Sequence, residues 1–546
     1  MQTGSRTEHE HEEGVAAAPP SPTLRSRLSR ATASPLLPPL LFATFPVVFI
    51  WAENVRGAFA LRTVAGVLAV VLAGTLGVFA VFLFLTRNPK KAGLATTAIV
   101  ILFFSFGHVA YRLEIGARTI EELGLLVGWL LLLAAALVLV LTRGGQAPPT
   151  LFRTLSSIAG VLVLLNVVQI ARFSPAVAVG ATAVRPFDTS GWTMPNGVPR
   201  DVYYLVFDRY ANEHTFAEQY GFDNQPFLRA LQERGFYVVH DAVANYPQTT
   251  HSLASSLNMT HLQDLAAEVG VDSTDARPLY RSLQGFAVAQ VFDDLGYRYN
   301  HIGTWWPQTG IDPTADANYT FGSFGEFATV FTQTTMLPSI SSYLGIDRYD
   351  FRQQEYRRLA YQYTSLREIA QDDAPTFTFL HSTAVHPPYL VDPNGGFVPS
   401  PDTRSIQRAY LDSVIAANRD ILAVLDDLLA GADATDPIVI LQSDEGPYPF
   451  DVEQRGLHIS LPTEPDSVLH RKLRILNAYY LPGRDPAEVG LSQTVTPVNT
   501  FRILFNAYFA AGLPLLEDRT YAYANDDQVF RFTDVTHRVS PTDPGG

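Results

Sequence analysis

Hydrophobic positions are distributed very unevenly along this chain. Nearly unbroken apolar runs lie at 36–51, 64–85, 94–109, 123–141 and 155–170. A helix that crosses a bilayer needs about 20 predominantly apolar residues, so the second and fourth runs are long enough and the others reach that length with flanking Ala, Tyr or Gly. The stretch 130–141 has no polar face, which argues against a buried bundle in a water-soluble protein. We predict five transmembrane helices over residues 35–172.

After the apolar runs, the pattern changes to short strand-like runs that alternate with amphipathic helical stretches. The strand-like runs lie at 202–207, 236–240, 297–302, 376–380 and 438–441, and the helical stretches at 225–233, 253–258, 351–370 and 406–429. Such alternation is typical of an α/β fold with a mostly parallel sheet covered by helices. The predicted fold class is therefore an N-terminal multi-span α-helical membrane domain followed by an α/β domain over residues 199–534.

Lys and Arg in the short loops indicate the orientation in the membrane. They are more frequent before the first run and in the loops at 86–93 and 142–154 than in the alternate loops, which places the N-terminus in the cytoplasm. Five spans then place the α/β domain outside a cell membrane that the chain crosses several times. The polar segment 1–34 is predicted to be a disordered cytoplasmic tail, 173–198 a linker and 535–546 a C-terminal tail.

Composition excludes several classes of function. The net charge of −14 argues against a nucleic-acid partner, which would require a basic surface. The chain has no cysteine, so disulfides, thiolate nucleophiles and cysteine-ligated zinc are all excluded.

Polar residues collect where three of the predicted strands end. Asp208 follows the first strand, His381 and then His386 follow another, and Asp444-Glu445 follows a third. Each alone could be a simple turn residue. Ligands in open α/β sheets bind at the carboxyl ends of the strands, so the three strand ends together predict a site.

A pair of threonines is predicted at the start of a helix. Thr249 and Thr250 follow Asn-Tyr-Pro-Gln and precede the packed stretch 252–257. N-capping of the helix is one explanation. The alternative is a hydroxyl nucleophile beside a cation, with the free N–H groups of the helix end stabilising the oxygens of a phosphoryl or sulfuryl group. A divalent metal bound by Asp208 and Asp444 would help such a hydroxyl to ionise.

These motifs resemble those of the alkaline phosphatase/sulfatase superfamily. Its elements here are Val-Phe-Asp208, Asn-Tyr-Pro-Gln-Thr249, His386-Pro-Pro-Tyr and Ser-Asp444-x-Gly, followed by 476–483 and 497–502. With the preceding spans, the chain is most similar to the membrane-anchored branch that contains lipoteichoic acid synthase and the phosphoethanolamine transferases. The resemblance implies that Asp208 and Asp444 are metal ligands, that Thr249 is the nucleophile and also a ligand, and that His386 faces the substrate.

The residue after Asp444 departs from the family pattern. The superfamily usually has Asp-His-Gly here, whereas this chain has Asp-Glu445-Gly. A carboxylate is a harder ligand than imidazole, so Glu445 as a metal ligand favours Mn²⁺ or Mg²⁺ over Zn²⁺. Loss of metal binding is the alternative.

Weaker substrate-binding candidates complete the predicted site. They are Thr250, His381, Trp305, Trp306 and His458, for each of which packing or ordinary hydrogen bonding is an alternative explanation.

The preferred hypothesis is a membrane-anchored, metal-dependent enzyme that transfers or hydrolyses a phosphoglycerol- or phosphoethanolamine-type headgroup outside the cytoplasmic membrane. Its partners would be membrane lipids and a cell-envelope glycan or lipid substrate. Sulfate ester hydrolysis is disfavoured, because sulfatases of this fold mature a Cys or Ser in a Cys/Ser-x-Pro-x-Arg context that is absent around Thr249. The remaining alternatives are a sulfatase-like hydrolase of another ester and a catalytically silent domain that binds a glycan or a partner protein.

Overall fold

The computed structural model describes most of the chain. The described residues are 32–54, 61–113, 120–173, 180–194, 199–322, 325–371, 374–399, 402–430, 436–450, 459–525 and 527–539. Most of the predicted N-terminal tail, residues 174–179 and 195–198 of the linker, the end of the C-terminal tail and His458 lie outside these ranges.

The N-terminal region is a bundle of apolar helices at the places where the apolar runs predict them. They are α1 (Leu37–Glu53), α2 (Leu61–Thr86), α3 (Pro89–Arg112), α4 (Ile120–Arg143) and α5 (Pro149–Phe173). Of the described helices, α2 to α5 are long and apolar enough to cross a membrane, while α1 is a shorter apolar helix of 17 residues. Whether α1 also crosses therefore stays a prediction.

The C-terminal region contains one seven-stranded sheet and a small two-stranded sheet. The strands are β1 (Val202–Phe207), β2 (Tyr237–Val238), β3 (Arg298–Ile302), β4 (Ala317–Tyr319), β5 (Thr376–Ser382), β6 (Ile438–Gln442) and β7 (Asn477–Tyr480), with β8 (Tyr521–Ala522) pairing with β9 (Thr533–Asp534). The large sheet has the order β2-β7-β6-β1-β5-β3-β4, in which β1 is parallel to both of its neighbours and only β7 runs against the rest. The predicted fold class, with its mostly parallel sheet, is confirmed.

Helices cover both faces of this sheet. The α-helices of the region are α6 (Glu213–Thr215), α7 (Gln225–Glu233), α8 (Thr249–Ser256), α9 (Gln263–Val269), α10 (Arg277–Arg281), α11 (Ala287–Asp294), α12 (Pro307–Gly310), α13 (Glu326–Gln333), α14 (Leu337–Tyr343), α15 (Phe351–Ile369), α16 (Ile406–Leu428), α17 (Asp466–Leu473), α18 (Thr500–Phe509) and α19 (Thr536–Val539).

Alternation along β1 shows how the two cores arise. Every residue of this strand is buried. Val202, Tyr204 and Val206 belong to the core beneath α8, α11 and α18. Tyr203, Leu205 and Phe207 belong to the core beneath α7, α15 and α16 on the other face. Because successive side chains of a strand point to opposite faces, a strand buried on both sides is apolar throughout and has no polar face.

Candidate metal centre

Three adjacent strands bring the predicted site residues to one edge of the sheet. Val206 of β1 lies opposite His381 of β5 on one side and Gln442 of β6 on the other. Asp208 and Asp444 each lie two residues beyond the positions that are paired in this register. The parallel direction of the three strands therefore places these residues at the same carboxyl edge, as the strand ends predict.

Asp208, His381 and Asp444 form one close group. One potential ligand atom from each lies within 4.8 Å of the other two. His381 Nε2 is 3.9 Å from Asp208 Oδ2 and 3.8 Å from Asp444 Oδ2. All three side chains are buried. Among the described residues this is the one group of three or more such side chains with metal-ligand spacing.

Four ligand atoms of this group have no hydrogen-bond partner among the described residues. They are Asp208 Oδ1, both carboxylate oxygens of Asp444, and His381 Nε2. A buried polar atom without a partner is costly, and buried carboxylates are normally paired or coordinated to a metal. Two carboxylates and an imidazole are suitable ligands for a divalent cation. The residues present therefore fit a divalent metal ion.

The electrostatics of the close group agree with a cation site. Burial, and then the neighbouring Asp444 and Glu445, raise the pKa of Asp208 well above its ordinary value. Burial lowers the pKa of His381 to about 4, against the opposing effect of Asp444. His381 is consequently neutral near pH 7, which leaves one ring nitrogen with a free lone pair for a metal.

Two buried threonines fix the orientation of the His381 ring. His381 Nδ1 lies 2.9 Å from Thr309 Oγ1, which in turn lies 2.9 Å from Thr304 Oγ1. Thr304 Oγ1 accepts a hydrogen bond from the N–H of Trp306. If His381 Nδ1–H donates to Thr309 and Thr309 donates to Thr304, the lone pair of His381 lies on Nε2 and faces the two aspartates. Histidine ligands of metals are commonly held by such a bond through the other ring nitrogen.

Glu445 is buried beside the close group but has cationic partners. Its Oε1 lies 2.6 Å from Nζ of the fully buried Lys472 and 3.4 Å from Nε of Arg209, while its Oε2 has no hydrogen-bond partner among the described residues. Lys472 Nζ also lies 3.8 Å from the centre of the Tyr448 ring. Gly446 allows this arrangement, because a Cβ there would lie 2.1 Å from the carbonyl oxygen of Arg471. The charge of Glu445 is thus balanced by a lysine, and the imidazole in the close group comes from His381 on a different strand.

Thr249 is the first residue of α8, at the helix end that the sequence predicts. The preceding Gln248 is extended, and its Nε2 lies 3.4 Å from the Tyr448 hydroxyl. Ser252, in the first turn, donates to the backbone carbonyl of Asp444 at 2.6 Å. The start of α8 is therefore held against the segment that carries Asp444. Thr249 is half-buried and Thr250 is buried.

His386 also points at the close group. Its Nε2 lies 3.9 Å from Asp208 Oδ2, and its Nδ1 bonds to the carbonyl oxygen of Pro387. A carbonyl only accepts, so Nδ1 carries the hydrogen and Nε2 has the lone pair. Burial and the nearby Arg209 lower the pKa of His386 well below its ordinary value, which keeps the ring neutral.

The sulfatase family model matches residues 200–496, more than half of the chain. The chain belongs to the sulfatase family. This membership confirms the resemblance to the alkaline phosphatase/sulfatase superfamily.

The chain is also similar to several solved structures. The C-terminal periplasmic domain of EcEptC from Escherichia coli is 12% identical, with a TM-score of 0.42, and the alignment covers 64% of this chain and 96% of that one. The structure of that domain in complex with Zn is 11% identical to this chain, with a TM-score of 0.42 and the same coverage of both chains. The integral membrane lipooligosaccharide phosphoethanolamine transferase A from Neisseria meningitidis is 12% identical over 86% of this chain and 95% of that one, with a TM-score of 0.38. None of the curated proteins matches this chain.

The remaining predicted residues of the sulfatase domain lie in packed surroundings. The ring of Trp305 meets that of Phe351 at 5.6 Å, and Trp306 meets Tyr280 at 6.3 Å. Trp305 lines a small cavity of about 40 Å³ next to α13. Roles for both tryptophans in substrate binding stay predictions, as does any role for His458 outside the described ranges.

Sequence reasoning missed four residues of this candidate site. Arg209 directly follows Asp208 and has a positive φ of 65°, which is uncommon for a residue other than glycine. Lys472, Thr304 and Thr309 are the others. Arg209 could have been noticed as a cation beside a predicted metal ligand. Nothing in the local sequence marks the other three, because each reaches the site through the packing of a distant element.

Proposed function

We propose that the chain transfers a phosphorylated lipid headgroup, of the phosphoglycerol or phosphoethanolamine type, with Thr249 as the nucleophile and a divalent cation as cofactor. The observation that carries this proposal is the buried group of Asp208, His381 and Asp444, with four unsatisfied ligand atoms beside the start of α8. Membership of the sulfatase family supports ester chemistry at phosphorus or sulfur. The absence of cysteine and of a formylglycine context favours phosphorus.

Asp208, His381 and Asp444 would hold the cation. When bound, it would lower the pKa of the Thr249 hydroxyl and offset negative charge on the phosphoryl group. The predicted preference for Mn²⁺ or Mg²⁺ rested on Glu445 as a ligand. With an imidazole in its place the same donor set also suits Zn²⁺, so the identity of the ion is left to measurement.

Groups of the chain itself would bind the phosphoryl oxygens of the substrate. The N–H groups at the start of α8 are available to the phosphoryl oxygens, because the first N–H groups of a helix have no partner inside it. Arg209 and Lys472 supply positive charge beside Glu445. Lys472 is fully buried, whereas the side chain of Arg209 is 15% exposed, so Arg209 is the cation that a phosphate oxygen could reach.

The proposed first step is a substitution at phosphorus. The Thr249 Oγ–P bond forms while the bond from phosphorus to the glycerol oxygen of the donor lipid breaks. The proton of Thr249 moves to the neutral Nε2 of His386 and then to the departing glycerol oxygen, so that a diacylglycerol leaves. In the second step an acceptor hydroxyl attacks the phosphothreonine and restores the Thr249 hydroxyl, with its proton returned through His386.

The membrane helices support a lipid as donor. The catalytic domain is attached to a bundle of helices able to cross a membrane, which holds the site close to lipid headgroups. We propose that this domain lies on the extracytoplasmic side, following the bias of Lys and Arg in the loops.

A mass-spectrometric experiment tests the proposed function. The full chain in vesicles of phosphatidylglycerol and phosphatidylethanolamine is incubated with Mn²⁺, Mg²⁺ or Zn²⁺, and the peptide with Thr249 is examined for an added phospho-headgroup. We expect the adduct in the wild type and in Thr250→Ala, and none in Thr249→Ala. An adduct that persists in Thr249→Ala shows that the nucleophile is another residue. A metal-bound protein without adduct or released diacylglycerol points to the catalytically silent alternative.

A further inference from the structure

A cavity of about 350 Å³ lies within the helical bundle, between α1, α3 and α5. Its size is in the range of ordinary small-molecule sites. The lining is aromatic and aliphatic, with Phe42, Phe45 and Phe49 from α1 and Phe104 from α3. Ile101 also lines it and is 38% exposed, so the cavity can be reached from the outer surface of the bundle.

The cavity lies in the half of the bundle that the catalytic domain contacts. Two short helices of that domain, α13 and α14, pack on the bundle. Phe327 and Phe331 of α13 share a buried cluster with residues at the end of α1 and the start of α2. The ring of Phe331 lies 5.4 Å from that of Phe104, which is itself a wall of the cavity.

Backbone hydrogen bonds at Gly107 hold the catalytic domain against the bundle. The N–H of Gly107 in α3 donates to the carbonyl of Thr334 at 3.1 Å, and the N–H of Met336 donates to the carbonyl of Phe103 at 3.0 Å. A Cβ at position 107 would lie 2.3 Å from the carbonyl oxygen of Gln333, so only glycine permits the approach. The catalytic domain is thus attached to the bundle at a second place, in addition to the chain connection after α5.

The lining becomes more polar toward the catalytic domain. The end of α3 meets α13 and α14, so residue numbers in α3 rise toward that domain. The two polar lining residues, Ser105 and His108, lie at this end, whereas Phe42 and Phe45 lie farther from it. From Val100 to His108 the lining extends along α3 for about 12 Å, at 1.5 Å per residue. A cavity that is polar at the end near the catalytic domain and apolar farther away suits an amphiphile whose headgroup points to that domain.

We propose that this cavity binds an acyl chain of the phospholipid donor, and that the contact at Gly107 places the catalytic domain over that lipid. The donor role rests on the proposed function. The occupant follows from the position of the cavity, because within membrane-spanning helices the abundant long apolar molecules are lipid chains, and water gains no partners against a phenylalanine wall.

Photocrosslinking tests the occupancy without any need for turnover. The full chain is reconstituted in vesicles that contain phosphatidylglycerol with a diazirine in one acyl chain, and crosslinked peptides are mapped by mass spectrometry. We expect labelling within α1 and α3 at the cavity, and about a tenfold loss of it in Ile101→Trp, which fills the space. Val161→Trp is the matched control, because Val161 is exposed on α5 and is not a lining residue. Equal labelling at the cavity in both variants overturns the proposal.

Kinetics separate a donor lipid from a structural one. In Ile101→Trp we expect KM for the vesicle lipid to rise about tenfold, with turnover of a soluble nitrophenyl phosphodiester unchanged. Loss of the crosslink with an unchanged KM assigns the cavity to a structural lipid and overturns the donor role. Thr249→Ala should lose turnover and keep the crosslink, so failure of the proposed function is distinguishable from failure of this proposal.

Discussion

Two neighbouring parts of the site bury carboxylates in opposite ways. In the close group, Asp208 and Asp444 have oxygens without hydrogen-bond partners in the described part of the chain and lie 3.8–3.9 Å from neutral imidazoles, Asp444 from His381 and Asp208 from both His381 and His386. Glu445, which directly follows Asp444, is just as buried and its Oε2 also has no hydrogen-bond partner among the described residues, but its Oε1 lies 2.6 Å from the ammonium of Lys472. A buried charge is tolerable when a counter-charge accompanies it. Glu445 has a counter-charge in the chain itself, whereas a cation from solution would supply one to the two aspartates. We propose that this difference separates the carboxylates that would hold a cation from the one that would not.

The largest expected effect is on metal binding. Asp208→Asn should abolish binding of a divalent cation in calorimetric titrations, because it removes one of two anionic ligands. Without metal, the same variant should melt at a higher temperature than the wild type, since it relieves repulsion between buried carboxylates. Glu445→Gln should still bind metal. If Glu445→Gln loses the metal as completely as Asp208→Asn, the contrast between the two parts of the site is wrong.

The second prediction concerns stability. Lys472→Met should destabilise the protein by about 3–5 kcal/mol, because it leaves Glu445 buried without a counter-charge. The matched control is Arg234→Met, which breaks the exposed ion pair with Asp426 and should cost at most about 1 kcal/mol. Thermal melting of both variants in the same vesicles measures the difference. The double variant Lys472→Met/Glu445→Gln should recover much of the loss, and a double variant no better than Lys472→Met would contradict the pairing.

The smallest expected effect comes from the threonine behind His381. Thr309→Val should weaken metal affinity by about 10–100-fold, the usual cost of removing a group that orients a ligand. Thr309→Ser keeps the hydroxyl and should restore the affinity. The visible spectrum of bound Co²⁺ gives a second measurement, since a freed His381 ring changes the ligand field. Equal affinities for Thr309→Val and Thr309→Ser would show that the hydroxyl does not hold the ring.

The fold and the positions of two of the three residues of the close group could be predicted from local patterns. Apolar runs, strand–helix alternation and acids at strand ends are properties of adjacent residues, so they indicated the helices, the parallel sheet and the positions of Asp208 and Asp444. His381 was also placed at a strand end, but as a weak substrate-binding candidate. Its place in the close group depends on the register of β5 beside β1, which no local pattern reveals.

Long-range packing explains what sequence reasoning could not assign. Glu445 was predicted as a metal ligand because it follows Asp444, and its role stays untested. The lysine that accompanies it belongs to α17, and that contact exists only because Gly446 lets the two segments approach closely. The contact between Gly107 and Thr334 is likewise invisible in the sequence, since a glycine in a membrane helix has many explanations.

The pairing of Val206 with His381 has a consequence for folding. A slip of β5 by one residue along β1 would send the His381 side chain to the opposite face of the sheet and remove the imidazole from the two aspartates. A bound cation would therefore stabilise only the sheet in which β5 has the correct register beside β1. The affinity of the protein for the cation would thus depend on this register. The proposed cation would then bind tightly only to a chain whose sheet has assembled correctly, before any donor lipid binds.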